Sequence, residues 1–433
     1  LLEQFFSLSK HQTSVKTEIL AGITTFFTMV YIIIVNPAIL SASGIPFEQV
    51  FMATIISAVA GTLIMGLFAK YPIAIAPGMG LNAYFATVAG TNGLSYQIIL
   101  GTVFIAGILF LLLSFSRLRE LIILSIPPSI KYGISAGIGL FIAFLGLRQA
   151  QIFVANESNL VGLGDLTAPM PLLTIAGLLI TLLLMVRKVP GALFIGMIIT
   201  AVIGYFTGML NLTGSELIPS LPPMPVFFDM DLAGVFSNGL YSVVFSFLLV
   251  TIFDTTGTMV AVSEQAGLMK DGNLPRAKQA FLGDSIATTL GAAFGTSPST
   301  AYVESSAGVA AGGRTGLTAV TVACLFVVAM FFSPFISAIS SLAAITSPVL
   351  IIVGCFMMGS LSKINWAEFD EAFTAFLIIL AMPLTSSIST GIAFGFILYP
   401  LLKLFGGKGR EVPPLIYVFG ILFIIQLIWF PAH

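Results

Sequence analysis

The sequence predicts an all-α polytopic membrane protein built as a 7+7 transmembrane inverted repeat, with short β-strands in its third and tenth segments. Three observations point there. The chain is 58% hydrophobic and only 8% charged, with a mean hydropathy of +1.08, and its apolar runs are long enough to cross a ~30 Å hydrocarbon layer. Its cations fall almost entirely on one side of the implied membrane. Matched segments of the two halves are interrupted by Gly and Pro.

The first half reads as Thr17–Asn36, Phe47–Phe68, a short Gly78–Gly90, Ser95–Phe115, Ser129–Leu147, Pro171–Val186 and Gly191–Gly208. The second reads as Phe236–Val262, Gln279–Phe294, a short Ala301–Gly313, Gly316–Phe332, Ser347–Leu361, Phe369–Leu384 and Ser389–Lys403. A last run, Leu415–Phe430, either spans the membrane or lies at its surface. Leu1 to Lys16 is polar and amphipathic, so a cytoplasmic N-terminal segment is expected there and no cleavable signal. With that orientation every Lys and Arg except Arg148 lies in an inner loop, including those at 117, 119 and 270. The expected location is the bacterial inner (cytoplasmic) membrane.

Seven segments form an odd number, so the second half enters from the opposite side and the halves are inverted. Internal similarity agrees: Ile75–Phe85 (IAPGMGLNAYF) resembles Thr296–Ser306 (TSPSTAYVESS), each at the third position of its half. Pro127-Pro128 and Pro348 are expected to introduce the fifth segments, and Val189-Pro190 and Pro383–Ser387 to turn tight hairpins. Interrupted helices leave backbone groups unpaired, which is tolerable in a membrane only where protein or a polar ligand meets them. Pro77 and Pro298 are expected in the first turns of the two broken helices, where a missing N–H costs nothing.

Three carboxylates stand inside these apolar segments: Asp254, Asp284 and Glu304. An ionisable group at bilayer depth costs at least ~2.5–3.5 kcal/mol, so it faces a cavity, finds a partner or titrates as part of its work. Asp254 lies on a stripe with Thr251, Thr255 and Thr258 and is read as a ligand acid or as a structural acid held by threonines. Glu304 starts the tenth segment, as a ligand acid or a helix cap. Asp284 is read as support for the polar backbone around Thr296–Ser299. Asn82 could read a polar edge or line a helix contact. Tyr84, Phe85 and Tyr302 could stack a planar ligand or simply pack.

Two acids, an amide and rings without a buried cation suit a neutral or cationic planar ligand rich in N–H donors, such as a purine base. Net charge of −1 points to no nucleic-acid partner. His11 and His433 lie near the chain ends, leaving no histidine-based metal or catalytic site, and Cys324 and Cys355 read as packing residues. An anion exchanger would need a cation at the half-helix junction. A membrane enzyme would need a nucleophile–base pair or metal cluster.

The stretches TEILAGITTFFTMVYIIIVNPAIL, APGMGLNAYF, FDTTGTMVAV and GTSPSTAYVESSAGVAAGGRTGL resemble the AzgA-like purine permeases of the nucleobase–cation symporter 2 group, from Phe5 to Arg410. That resemblance implies the uracil-permease fold. Residues 17–115 and 236–332 would form a core domain, 116–235 and 333–405 a gate domain, and 406–433 a C-terminal segment. It further implies proton symport of guanine, hypoxanthine or adenine, with no cofactor beyond the coupling proton. The family's substrate residues match Asp254, Glu304 and Asn82, and Val303 and Thr258 stand beside the acids. Asp254 or Glu304 would carry the proton. A homodimer is left open.

Overall fold

The computed structural model describes residues 2–91, 93–116, 125–156, 160–212, 214, 218–221, 223–269 and 274–429. The cations at 117, 119 and 270, and Phe430, lie outside the described residues. Nine described helices are long and apolar enough to cross a membrane. The other expected segments are shorter or more polar: Met79–Thr91, Ala192–Phe206, Ala277–Phe294, Ser305–Ala310 and Phe369–Thr385. The first segment is itself broken, Val15–Met29 and Ile32–Leu40 meeting at Val30-Tyr31. Large apolar side chains such as Leu183, Val186, Phe206, Val328 and Leu384 are exposed. That is a surface made for lipid rather than water.

At the heart of the fold two strands from opposite halves pair antiparallel: β1 (Ile75–Pro77) and a partner at Ser299–Ala301. Ile75 stands opposite Ala301 and Pro77 opposite Ser299. A two-stranded sheet has two outer edges, and here hydroxyls cover them. Thr62 Oγ1 accepts from Ile75 N (2.9 Å) and donates to Ile75 O (3.0 Å). Thr288 Oγ1 accepts from Ser299 N (3.1 Å) and donates to Ser299 O (3.3 Å), the same device in the other half. Thr255 Oγ1 accepts from Ala301 N (3.3 Å), and the Tyr302 phenol donates to Pro77 O (2.6 Å).

This pairing corrects the expectation for the prolines. Pro77 ends β1 and Pro298 precedes the second strand, so neither lies in a first helical turn. Proline's φ also suits extended chain, and at Pro77 there is no N–H to leave unpaired on the strand edge. Pro298 O accepts from Gly78 N (2.9 Å), continuing the ladder. Pro128 does begin its helix, but Pro348 lies inside Ala343–Met357.

Tyr96–Phe115 packs on Ala277–Phe294, and Val15–Met29 on Gly316–Ala329. Gly316 meets Gly66 so closely that a Cβ there would lie 1.8 Å from the Gly66 carbonyl oxygen. Elsewhere Pro128–Gln149 packs on Ala343–Met357 and Phe369–Thr385. Lys403, nearly buried, lies 2.8 Å from both Asp370 and Glu371 and ties the last two of the fourteen segments. The outer stretch after Gln149 forms a hairpin of β2 (Phe153–Asn156) and β3 (Leu160–Leu163), which makes the strand at Ser299–Ala301 β4. The final helix, Pro414–Trp429, lies against Ile388–Phe405, with Phe419 and Phe423 packed on both Phe396 and Phe245. Cys324 and Cys355 are free and exposed, so they are not packing residues, and no disulfide joins them.

A fully buried carboxylate, Glu18, escaped the sequence reading. Its oxygens accept from the backbone N–H of Arg314 (2.9 Å), Thr315 (3.2 Å) and Thr318 (3.3 Å), and from the Thr318 hydroxyl (2.6 Å). It supplies the donors at the start of Gly316–Ala329 with an acceptor, which their own helix cannot. Glu18→Ala should therefore cost about 2–4 kcal/mol, from several buried donors left without a partner. The expected readout is a lower melting temperature in detergent, with Glu18→Gln losing less.

Candidate functional site

One cavity of about 1380 Å³ enters the protein between the helices. Its deep wall carries Asp254 and Thr258 from Tyr241–Gln265, and Val303 and Glu304 from the turn after β4. Thr24 and Thr28 of the first segment and Gly80 and Leu81 of the third continue that wall. Facing them are Tyr132, Ser135 and Ile138, and the hairpin Lys188–Leu193. Lys131, Lys188, Lys363 and Glu264 also line the cavity. Every one of these lysines belongs to the loops expected on the inner side.

The position of each acid follows from the strand pair. β4 leads through Tyr302 and Val303 to Glu304, which stands just before the six-residue helix Ser305–Ala310 without a side-chain bond to its first turn. Tyr31 donates its phenol hydrogen to Glu304 Oε1, and the Thr28 hydroxyl lies 3.4 Å from the Glu304 carbonyl oxygen. Asp254 precedes Thr255, whose hydroxyl is bonded to β4, and Thr300 of β4 lies beside the Asp254 carboxylate. The two acids thus line one cavity, Asp254 beside Thr300 of β4 and Glu304 three residues beyond the end of that strand.

Asp284 has a different task from the one expected. Its Oδ2 accepts from Thr255 Oγ1 at 2.5 Å, which orients that hydroxyl toward Ala301 N. The stretch Thr296–Ser299 is tied instead by Asn36 and Ser57 through the Thr296 and Ser299 hydroxyls and by Thr288 through the Ser299 backbone. Asn36 Nδ2 donates to Thr54 (2.7 Å) and Thr296 (2.8 Å), so Thr296 is structural, held by a residue the sequence did not single out.

Three other expectations need correction. Asn82 is fully buried and accepts from the Ser297 hydroxyl, tying the third segment to the chain before β4 rather than lining the cavity. Tyr84 packs against Phe247 with ring centroids 4.7 Å apart, and Phe85 is fully buried. Neither ring reaches the cavity wall. The aromatic rings that do are Phe253, Tyr132 and Phe356, in apolar runs where nothing distinguishes them by spacing. Outside the cavity, the acids Glu368, Asp370 and Glu371 converge closely enough to hold a metal ion, but the Lys403 ammonium already stands among them.

Broken helices brought together by paired strands beside an open, acid-lined cavity define a multi-pass membrane transporter. Residues 16–394 match the model of the Permease family, and the chain belongs to that family. It is 61% identical over 433 residues to the guanine/hypoxanthine permease PbuO of Bacillus subtilis (strain 168), a match covering 98% of this chain and 99% of the relative. It is 43% identical over 437 residues to the adenine permease AdeP of Escherichia coli (strain K12), covering 100% and 97%. Among solved structures, the transmembrane domain of the cyanobacterium bicarbonate transporter BicA aligns with a TM-score of 0.65 at 15% identity. That alignment covers 88% of this chain and 97% of the other, and shows the fold alone. Relatives that are permeases also remove the membrane-enzyme reading.

Cysteine accessibility tests the cavity wall. With Cys324 and Cys355 replaced by alanine, Ser135→Cys and Ala310→Cys should react readily with a polar maleimide in purified protein. Phe85→Cys and Asn82→Cys should not, because neither position meets solvent.

Proposed function

We propose that this permease imports purine bases, guanine and hypoxanthine foremost, across the cytoplasmic membrane by proton symport with alternating access. The observation that carries the reading is that Asp254, beside β4, and Glu304, three residues beyond it, line one open cavity. Two carboxylates in a site of low dielectric repel, and N–H donors of a bound base or a proton on one acid relieve that cost. A purine presents such N–H groups, and Phe253 and Tyr132 offer faces for its ring. The 61% identity to a guanine/hypoxanthine permease, against 43% to an adenine permease, supports the order of preference.

In this reading Asp254 and Glu304 hold the N–H edge, Thr258 and Val303 border it, and one acid carries the coupled proton. Binding a base to one protonation state links the two gradients reciprocally. Lysines along the cavity support a mouth on the cytoplasmic side by the positive-inside rule, and the cavity is read as open inward. Helices one to four and eight to eleven act as the core, and five to seven and twelve to fourteen as the gate that moves against it. Gly80 allows the close contact between them, since a Cβ there would lie 2.3 Å from Ile138 Cγ2.

Uptake of labelled hypoxanthine in cells lacking their own purine permeases is the direct check. Asp254→Asn and Glu304→Gln should each lower it at least about tenfold, the scale of one lost charge-assisted hydrogen bond. A protonophore should abolish accumulation. Normal uptake in both variants, or accumulation indifferent to the protonophore, contradicts the assignment.

A further inference from the structure

Tyr31 is fully enclosed at the break in the first segment, does not line the cavity, and yet donates its phenol to the cavity-facing Glu304. We propose that Tyr31 is a positioning and specificity-determining residue: it pins one oxygen of Glu304 and leaves the other to the ligand. The proposal rests on the purine reading above and says how that site tells one purine from another.

Glu304 stands at the start of a short helix, where its side chain would otherwise be free to choose among rotamers over an open cavity. Fixing a recognition group before the ligand arrives removes an ordering cost from binding. The Tyr302 phenol cannot replace that donor, because it is committed to Pro77 O at 2.6 Å. Thr28 reaches the Glu304 carbonyl rather than its carboxylate. The other acids on the helices packed against Ser305–Ala310 are Asp254 and Glu264 on the eighth segment and Glu18 on the first. On its own stretch Arg314 is turned to the Val309 and Gly313 carbonyls, and Lys131, Lys188 and Lys363 line the same cavity. Tyr31 is thus the side chain seen to hold the carboxylate.

A carboxylate with one oxygen occupied offers a single strong acceptor site. Hypoxanthine brings one N–H on its pyrimidine-ring edge, which that oxygen satisfies. Guanine brings the same N–H and an adjacent amino group, a pair that fits both oxygens of a free carboxylate side by side. Removing the phenol therefore has two consequences. Both bases lose a prepositioned acceptor, but guanine regains a two-point contact and hypoxanthine does not.

The test is the affinity of purified wild-type, Tyr31→Phe, Glu304→Gln and doubly substituted protein for hypoxanthine and guanine. Phenylalanine keeps the ring, so packing alone would make the change silent. The expected result is about a tenfold weaker Kd for hypoxanthine and less than about threefold for guanine, with the melting temperature unchanged. In the Glu304→Gln background, Tyr31→Phe should no longer alter the ratio, because the two residues act as one unit. Should Tyr31→Phe not fold, Tyr31→Met fills part of the ring's space with a flexible apolar chain without the phenol, and is read the same way. Equal changes for both bases, no change, or an effect that persists without Glu304 would overturn the proposal. Wild-type protein that binds neither purine would instead overturn the reading of the site itself, and the proposal with it.

Discussion

Two three-residue strands, one from each half, pair inside a protein whose outer surface is apolar, and the rest of the site is arranged around them. A short sheet in such surroundings is costly unless both outer edges find hydrogen-bond partners. Here Thr62 and Thr288 each bond both backbone groups of one strand residue, Thr255 accepts from Ala301 N and Tyr302 donates to Pro77 O. The same bonds locate the acids. Thr255 clamps β4 while its neighbour Asp254 faces the cavity, and three residues beyond β4 Glu304 faces it too. Asp284 acts one step back, aiming the Thr255 hydroxyl.

Much of this was legible before any coordinates. Hydropathy located the spanning segments to within a few residues, and the paired Gly/Pro interruptions located the breaks, although Pro77 and Pro298 were expected in helices and not at strands. Acids at 254 and 304 stood out because charge is so rare in this chain. What stayed hidden were partners with ordinary side chains. Tyr31 and Asn36 sit in a run of isoleucine and valine and become meaningful only when β4 and its flanking residues fold against them. Glu18 stands at the edge of the first apolar run and drew no reading, although it caps a helix some three hundred residues away in sequence. Asn82, Tyr84 and Phe85 misled for the opposite reason: proximity to a broken helix does not reveal which face turns toward the cavity.

The fold is shared with a bicarbonate transporter at 15% identity, so the scaffold alone does not name a cargo. What separates the possibilities is the charge at the junction. An anion would be met best by a cation or by bare helix N-terminal donors. In this chain Asp254 and Glu304 stand on that wall, while the lysines come from other segments of the cavity lining. Such an arrangement repels an anion from the strands and favours a ligand that donates hydrogen bonds.

A cryo-electron microscopy map of the protein saturated with hypoxanthine bears on this most directly. The base should appear on the wall formed by β4, within hydrogen-bonding distance of both Asp254 and Glu304, with a ring near Phe253 or Tyr132. A base bound among Lys131, Lys188 and Lys363, with both carboxylates untouched, would contradict it.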